Sequence, residues 1–296
     1  ADWERIYDQY EELFLLHKMT MFEMDLWMSL AYFIEQEVDY CIIEAGMGGR
    51  LDATTALDYK ACLITNVGLD HTEYLGDTFE QIAYEKSGIF KPNVPALTTE
   101  DKPECQKVME LVADYMKTPL CFIDCQETDV LRWNGMTLHL NPPLYQAKNL
   151  SLALETLSVL GIWLEEKEIQ EVINHFQWAG RFMILRKEPL VLLDGAHNVH
   201  GITALTHSLK DFNGKIYFSV LKEKDAPHMI ERLQSISKDI TLVEISSARL
   251  YPLKKLGYPI ITVDELISRL LDTKEDSLLC GSLYYVGEVL EKWGNV

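Results

Sequence analysis

Apolar positions along the chain change period several times, and each change marks a predicted element. From residue 4 to 17 and again from 20 to 36 they recur at helical spacing. In the second stretch Phe22, Leu26, Leu30, Phe33 and Ile34 share a stripe. "VDYCIIEAG" (38–46) and "ACLITNVG" (61–68) are apolar at odd and even positions alike, the pattern of strands buried on both faces. "DTFEQIAYEKSGIFKP" predicts a helix capped at Asp77 or Thr78 and closed by Pro92. "VPALTT" (94–99), a helix near 103–117 and "LCFID" (120–124) continue the alternation. Asn134-Gly135 in "LRWNGMTLHL" is a hairpin signal, and helices are predicted over about 146–160 and 165–177.

After "RFMILRKEP" the alternation restarts. "LVLLD" (190–194), "KIYFSV" (215–220), "ITLVEI" (240–245), "PIITV" (259–263) and "SLLC" (277–280) are strand-like, with helical patterns between them. Strands alternating with helices predict an α/β fold with parallel sheets covered on both faces. The restart divides the chain into two domains, 1–185 and 186–296.

Composition narrows the function classes. The 296 residues are 48% hydrophobic and 25% charged, enough apolar material for two cores. A formal charge of −19 repels nucleic acid and anionic membrane, so any anionic ligand must be met by local positive groups. No apolar run reaches a membrane span and no signal peptide precedes the first helix. The six cysteines form no CxxC pair. Cys41, Cys62 and Cys280 lie in strand-like runs and read as buried thiols of a reducing cytoplasm. The chain begins with Ala1 and not Met, which suggests a processed or partial sequence.

Four segments could carry chemistry. "EAGMGGRLD" (44–52) resembles a dinucleotide loop, but Gly46, Gly48 and Gly49 lack the third glycine of G-x-G-x-x-G, and Asp52 opens a turn. What remains is Glu44 at the end of a predicted strand. Asp70 and His71 follow the next strand, at the sheet edge where α/β folds bind ligands. A carboxylate and an imidazole there suit a divalent ion bridging substrate phosphates, with Mg²⁺ the default; a capping Asp-His pair and a satisfied glutamate fit the same residues. Lys86 shares a helical stripe with Phe79, Ile82, Ala83 and Phe90, so its amine is either partly buried, with a lowered pKa, or snorkelling. Asp194, His197 and Asn198 follow strand 190–194, and Gly281-Ser282 precede a helix N-terminus suited to an anion or to a tight turn.

Together these segments resemble folylpolyglutamate synthase, often combined in bacteria with dihydrofolate synthase, in the Mur ligase superfamily. The matching stretches are "MTMFEMD", "EAGMGGRLDATT", "ITNVGLDHTEYLGDT", "IAYEKSGIFK", "YQAKNLSLAL", "WAGRF", "LLDGAHNVHG" and "CGSLYYVGEV". The resemblance implies a Mur-ligase-like fold, with a P-loop-type ATPase domain, N-terminally incomplete, over 1–185 and a Rossmann-like ligase domain over 186–296. It implies an ATP-dependent amide ligase that phosphorylates a folate carboxylate and lets L-glutamate attack the acyl phosphate.

Residue by residue, the resemblance implies that Glu44 and His71 hold Mg²⁺. Lys86 is the position carbamylated in many relatives, where it binds a second metal. Asn149 and Arg181 fall where relatives bind ATP, and Asp194 and His197 match a motif serving nucleotide and catalysis. Phe22 matches a region near the pterin pocket, and Ser282 and Tyr284 match a C-terminal motif on the substrate side. The implied partners are a folate derivative, L-glutamate and ATP, with no nucleic acid or membrane, in a cytoplasmic monomer.

Two departures stand out. Ala179 and Met183 replace the family's usual Pro and Glu around "WAGRF". No G-x-x-x-x-G-K-[ST] occurs in the 296 residues, so the cradle for the β/γ phosphates is missing and the chain alone is expected to be inactive. The competing readings are another Mur-type amino-acid ligase and a truncated, non-catalytic paralogue that binds folate or nucleotide.

Overall fold

The computed structural model of the chain describes residues 2–141 and 143–294. Contacts divide it into two compact units: residues through Asp124 with Leu152–Ile162, and Cys125–Ser151 with Trp163 onwards.

The first unit opens with α1 (Asp2–His17) and α2 (Met21–Glu35), which bury Ile6, Phe14 and Met28 between them. Thr20 starts α2 through a reciprocal capping box with Glu23, satisfying backbone donors that the helix cannot use. Then come β1 (Cys62–Ile64), the single turn α3 (Thr72–Leu75), α4 (Phe79–Ser87), β2 (Ala96–Thr98), α5 (Pro103–Met116) and β3 (Leu120–Phe122). The three strands form a parallel sheet in the order β1-β2-β3. Ile64, Val67, Ile82, Ala83, Phe90 and Met109 fill its core.

The predicted buried strand at 38–46 does not form. Tyr40 is 64% and Ile42 94% exposed, Cys41 is exposed, and the strand predicted over 61–68 shrinks to the three residues of β1. A strand exists only by pairing. Among the described residues β1 is hydrogen-bonded to β2 alone, and 38–46 has no partner strand.

In the second unit β4 (Val130–Trp133) and β5 (Met136–His139) make the expected hairpin, with Asn134 and Gly135 both at positive φ as a two-residue turn of this hand requires. α6 (Gln146–Val159) straddles the division between the units, and α7 (Glu166–His175) follows. The remaining elements are β6 (Met183–Lys187), β7 (Leu190–Asp194), α8 (Val199–Ser208), β8 (Lys215–Phe218), α9 (Ala226–Leu233), β9 (Ile240–Glu244), β10 (Ile260–Thr262), α10 (Val263–Asp272), β11 (Ser277–Cys280) and α11 (Leu283–Trp293). They build one six-stranded sheet ordered β10-β9-β8-β11-β7-β6. It is parallel except for β6, an antiparallel edge strand absent from the sequence expectation. Ile202, Leu205, Met229 and Leu233 cover one face, and Leu266, Leu270, Tyr285 and Val289 the other. The carboxyl ends of β7 and β11, in the middle of this sheet, therefore deliver Asp194 and Ser282 to one edge.

Candidate active site

The glycines of residues 46–49 have a packing reason. A Cβ on Gly46 would lie 2.8 Å from the Phe22 ring, so that ring covers the loop. A Cβ on Gly49 would meet Ile89 Cγ2 at 2.6 Å and the Lys86 carbonyl at 2.8 Å, and one on Gly88 would meet Arg50 Cα at 2.3 Å. Only glycines let the loop lie flat on the last turn of α4, the turn that carries Lys86. Arg50 fastens the contact. Its N–H donates to the Glu85 carbonyl at 2.8 Å, and its guanidinium engages the Glu85 carboxylate through Nη2 at 2.8 Å and Nε at 3.1 Å. Asp52 closes the other side, accepting the Met47 and Thr54 N–H groups at 3.0 Å each and capping the short turn Ala53–Ala56. Burial raises the Asp52 pKa, but these bonds and the Thr54 hydroxyl outweigh it and hold the carboxyl below its ordinary value.

Lys86 is half-buried, and the desolvation lowers its pKa; the charges of Asp70 and Glu44 oppose the shift. The 38–45 segment and the loop after β1 thus place two carboxylates near enough for their charges to act on one lysine. Asp70, expected beside His71 at this edge but given no role with the lysine, is one of them. His71 itself is exposed, at positive φ, with its N–H donating to Asp70 Oδ1 at 2.9 Å, and it begins α3. Among the described residues no three His, Cys, Asp or Glu side chains stand close enough to cage a metal. That donor set still fits Mg²⁺, which keeps most of its waters and takes one or two carboxylates alongside substrate phosphates. It does not suit zinc or calcium.

In the second unit Asp194 is 2% exposed at the end of β7. Its Oδ2 accepts the Phe182 N–H at 2.8 Å and its Oδ1 the Ala196 N–H at 2.7 Å. The Tyr145 hydroxyl is a third donor, and Arg181 is close enough to act on its charge. Burial raises the Asp194 pKa against the pull of all four groups. The Gly195 N–H also donates to the Gly180 carbonyl at 2.6 Å, so the turn bearing Arg181 is locked to the end of β7. Arg181 itself is exposed. His197 is half-buried, with Nδ1 2.9 Å from the Gly195 carbonyl. Asn149, in the first turn of α6, is exposed and donates to Gln146 Oε1 at 2.9 Å. Ser282 is buried as the N-cap of α11, accepting the Tyr284 N–H at 3.2 Å, whereas Tyr284 is 55% exposed and its hydroxyl accepts from Arg249 Nη1. Tyr145 is the residue that sequence reasoning missed; it sits two residues past Pro143 in "YQAKN", where only Asn149 drew notice.

Known proteins resemble the chain over most of its length. Residues 10–139 match the family model described as Mur ligase middle domain. The dihydrofolate synthase/folylpolyglutamate synthase of Buchnera aphidicola subsp. Schizaphis graminum is 31% identical over 298 residues, covering 92% of this chain and 70% of its own length. The chain belongs to the folylpolyglutamate synthase/dihydrofolate synthase family. Escherichia coli FolC in complex with DHPP and ADP is 29% identical with a TM-score of 0.80, over 94% of this chain and 72% of that one. A bifunctional folylpolyglutamate synthase/dihydrofolate synthase with Mn, AMPPNP and L-glutamate bound is 26% identical, with a TM-score of 0.81 over 93% and 72%. The family's Mur-ligase-like architecture is thus the architecture of this chain.

Proposed function

We propose that the chain works in an ATP-dependent ligase that joins L-glutamate to a folate carboxylate, with Mg²⁺ as the metal. The observation that carries this is Lys86, on the glycine-packed turn of α4, with the charges of Asp70 and Glu44 acting on it, in a chain of this family. The ATP side is assigned to 1–185 and the ligase domain to 186–296.

The reaction needs two displacements. A folate carboxylate oxygen attacks the γ-phosphorus of ATP and ADP leaves. The glutamate amine then attacks the acyl carbon, phosphate leaves, and the amine loses its proton. Phosphoryl transfer relies chiefly on positioning and charge stabilisation. Glu44 and His71 are assigned to Mg²⁺, which would neutralise charge on the transferring phosphoryl group, with Asp70 accepting the His71 N–H beside them. Lys86, with its lowered pKa, holds a larger neutral fraction than an exposed lysine, the form that carbamylation requires; as a carbamate it would supply a further anionic ligand. Asn149 and Arg181 are assigned to ATP, and Asp194 with His197 to the nucleotide and the catalytic step. Phe22, lying over Gly46, is assigned to the folate ring system, and Ser282 with Tyr284 to substrate.

The binding of ADP and DHPP by one relative, and of Mn, AMPPNP and L-glutamate by another, supports this ligand set. Among the described residues no helix is long and apolar enough to cross a membrane. We assign the enzyme, separately from this, to the cytoplasm as a monomer. Glu44→Gln or His71→Ala in the intact protein should abolish Mg²⁺-dependent glutamate addition. Normal turnover by either variant would remove it from the metal site.

A further inference from the structure

The first unit holds a buried charge that the proposed chemistry does not use. Glu100 follows β2 by two residues and is 2% exposed. Its carboxylate accepts the Val67 N–H at Oε2 and the Lys102 N–H at Oε1, 2.8 Å away, and pairs with Lys102 Nζ at 3.1 Å. Lys102 Nζ in turn donates to the Val67 carbonyl at 2.9 Å and lies 5.3 Å over the Phe79 ring. The two side chains therefore take both backbone polar groups of one residue, as a neighbouring strand would.

The place is where the sheet stops. β1 and β2 run parallel, in register through Ile64 and Thr98. Beyond them the Thr99 hydroxyl donates to the Thr65 carbonyl at 2.7 Å, and the Glu100–Lys102 pair continues the ladder to Val67. Gln106 Nε2 ties the Glu100 carbonyl to α5 at 2.8 Å, so the clamp is anchored on a helix. Burying an ion pair costs solvation that its own attraction seldom exceeds, so stability alone is a weak reason for it. The fully buried Val67 stands three residues before Asp70 and four before His71.

We propose that Glu100 is a positioning residue for the metal-holding loop. With Lys102 it fixes Val67, and through Val67 the stations of Asp70 and His71 against Glu44 and Lys86. This rests on the metal site proposed above. Loss of an outer partner of a metal ligand commonly weakens the metal by about 10- to 100-fold.

Two readouts on the intact protein separate the clamp from the site. Mn²⁺ binding is titrated by electron paramagnetic resonance, and amide exchange is measured over residues 66–71, for wild type, Glu100→Gln and Glu44→Gln. The expected result is faster exchange at Asp70 and His71 and about tenfold weaker Mn²⁺ binding in Glu100→Gln, with KM for L-glutamate unchanged. Unchanged exchange would overturn the clamp whatever the metal does. Faster exchange with unchanged Mn²⁺ affinity, while Glu44→Gln weakens it, would overturn the positioning role and leave the site standing. Mn²⁺ affinity unchanged in both variants would remove the metal site and the proposal with it. If circular dichroism shows Glu100→Gln unfolded, Lys102→Met takes its place under the same criteria.

Discussion

Replacing Gly49 with alanine tests whether the glycine loop exists to lie on α4. The new Cβ would sit 2.6 Å from Ile89 Cγ2, 2.8 Å from the Lys86 carbonyl oxygen and 3.0 Å from the Glu85 carbonyl oxygen. Carbon atoms prefer separations of about 3.5–4.0 Å, so the loop or the helix end must retreat by up to about 1 Å. The Ile89 methyl can turn aside, but the two carbonyls are fixed. The Gly88 N–H donates to the Glu85 carbonyl at 3.4 Å and the Ile89 N–H to that of Lys86 at 3.3 Å. Overpacking of this kind costs about 1–3 kcal/mol. In a chain this long each kcal/mol corresponds to roughly 2–4 °C in Tm. Gly49→Ala is therefore expected to melt several degrees lower by circular dichroism. Because the strain falls on the turn carrying Lys86, glutamate addition should fall more than the folded fraction does. A variant that melts within about 1 °C of wild type with unaltered turnover would refute the packing argument.

Other outcomes follow from the same structure. Gly287 lies within α11, where an added Cβ would meet nothing within 4 Å, so Gly287→Ala should stabilise by about 0.5–1 kcal/mol, read as a higher denaturation midpoint. Lys86 has a lowered pKa, so the folded state binds fewer protons there than the unfolded state between the lowered value and 10.5. Stability should accordingly rise with pH across that window relative to Lys86→Met, in paired denaturation curves; parallel curves would mean no perturbation. Intact-protein mass should reveal an added carbamate on Lys86, and short carboxylates should partly rescue Lys86→Ala. The 296 residues on their own, with no phosphate-gripping loop, should form no ATP-dependent product.

Local signals made much of the fold legible. Thr78 and Gln81 make a capping box and Pro103 opens α5, both devices that act within one turn. Asn134-Gly135 set its hairpin for the same reason. The apolar run at 38–46 misled because its pattern describes what a strand could bury, whereas pairing depends on neighbours far away in sequence. β6 was overlooked because "MILRK" carries two charges in five residues and pairs antiparallel at an edge, where burial leaves a weak pattern. Lys86 stood out on an apolar stripe and is half-buried as that stripe implies, whereas Glu44 was singled out at the end of a strand that does not form. The bond from Tyr145 to Asp194, and the buried Glu100 holding Val67, join residues dozens of positions apart, and no periodicity encodes them.

The central claim is that this chain serves glutamate addition to folate through the Glu44–Asp70–Lys86 group. Its most direct test incubates the intact protein with a reduced folate, ATP, Mg²⁺ and isotopically labelled L-glutamate, then identifies the folate product by mass. The account predicts folate extended by labelled glutamate, with one ADP released per bond formed, and loss of both in Glu44→Gln. ATP-dependent incorporation of a different amino acid into a different acceptor, or undiminished product from Glu44→Gln, would contradict it.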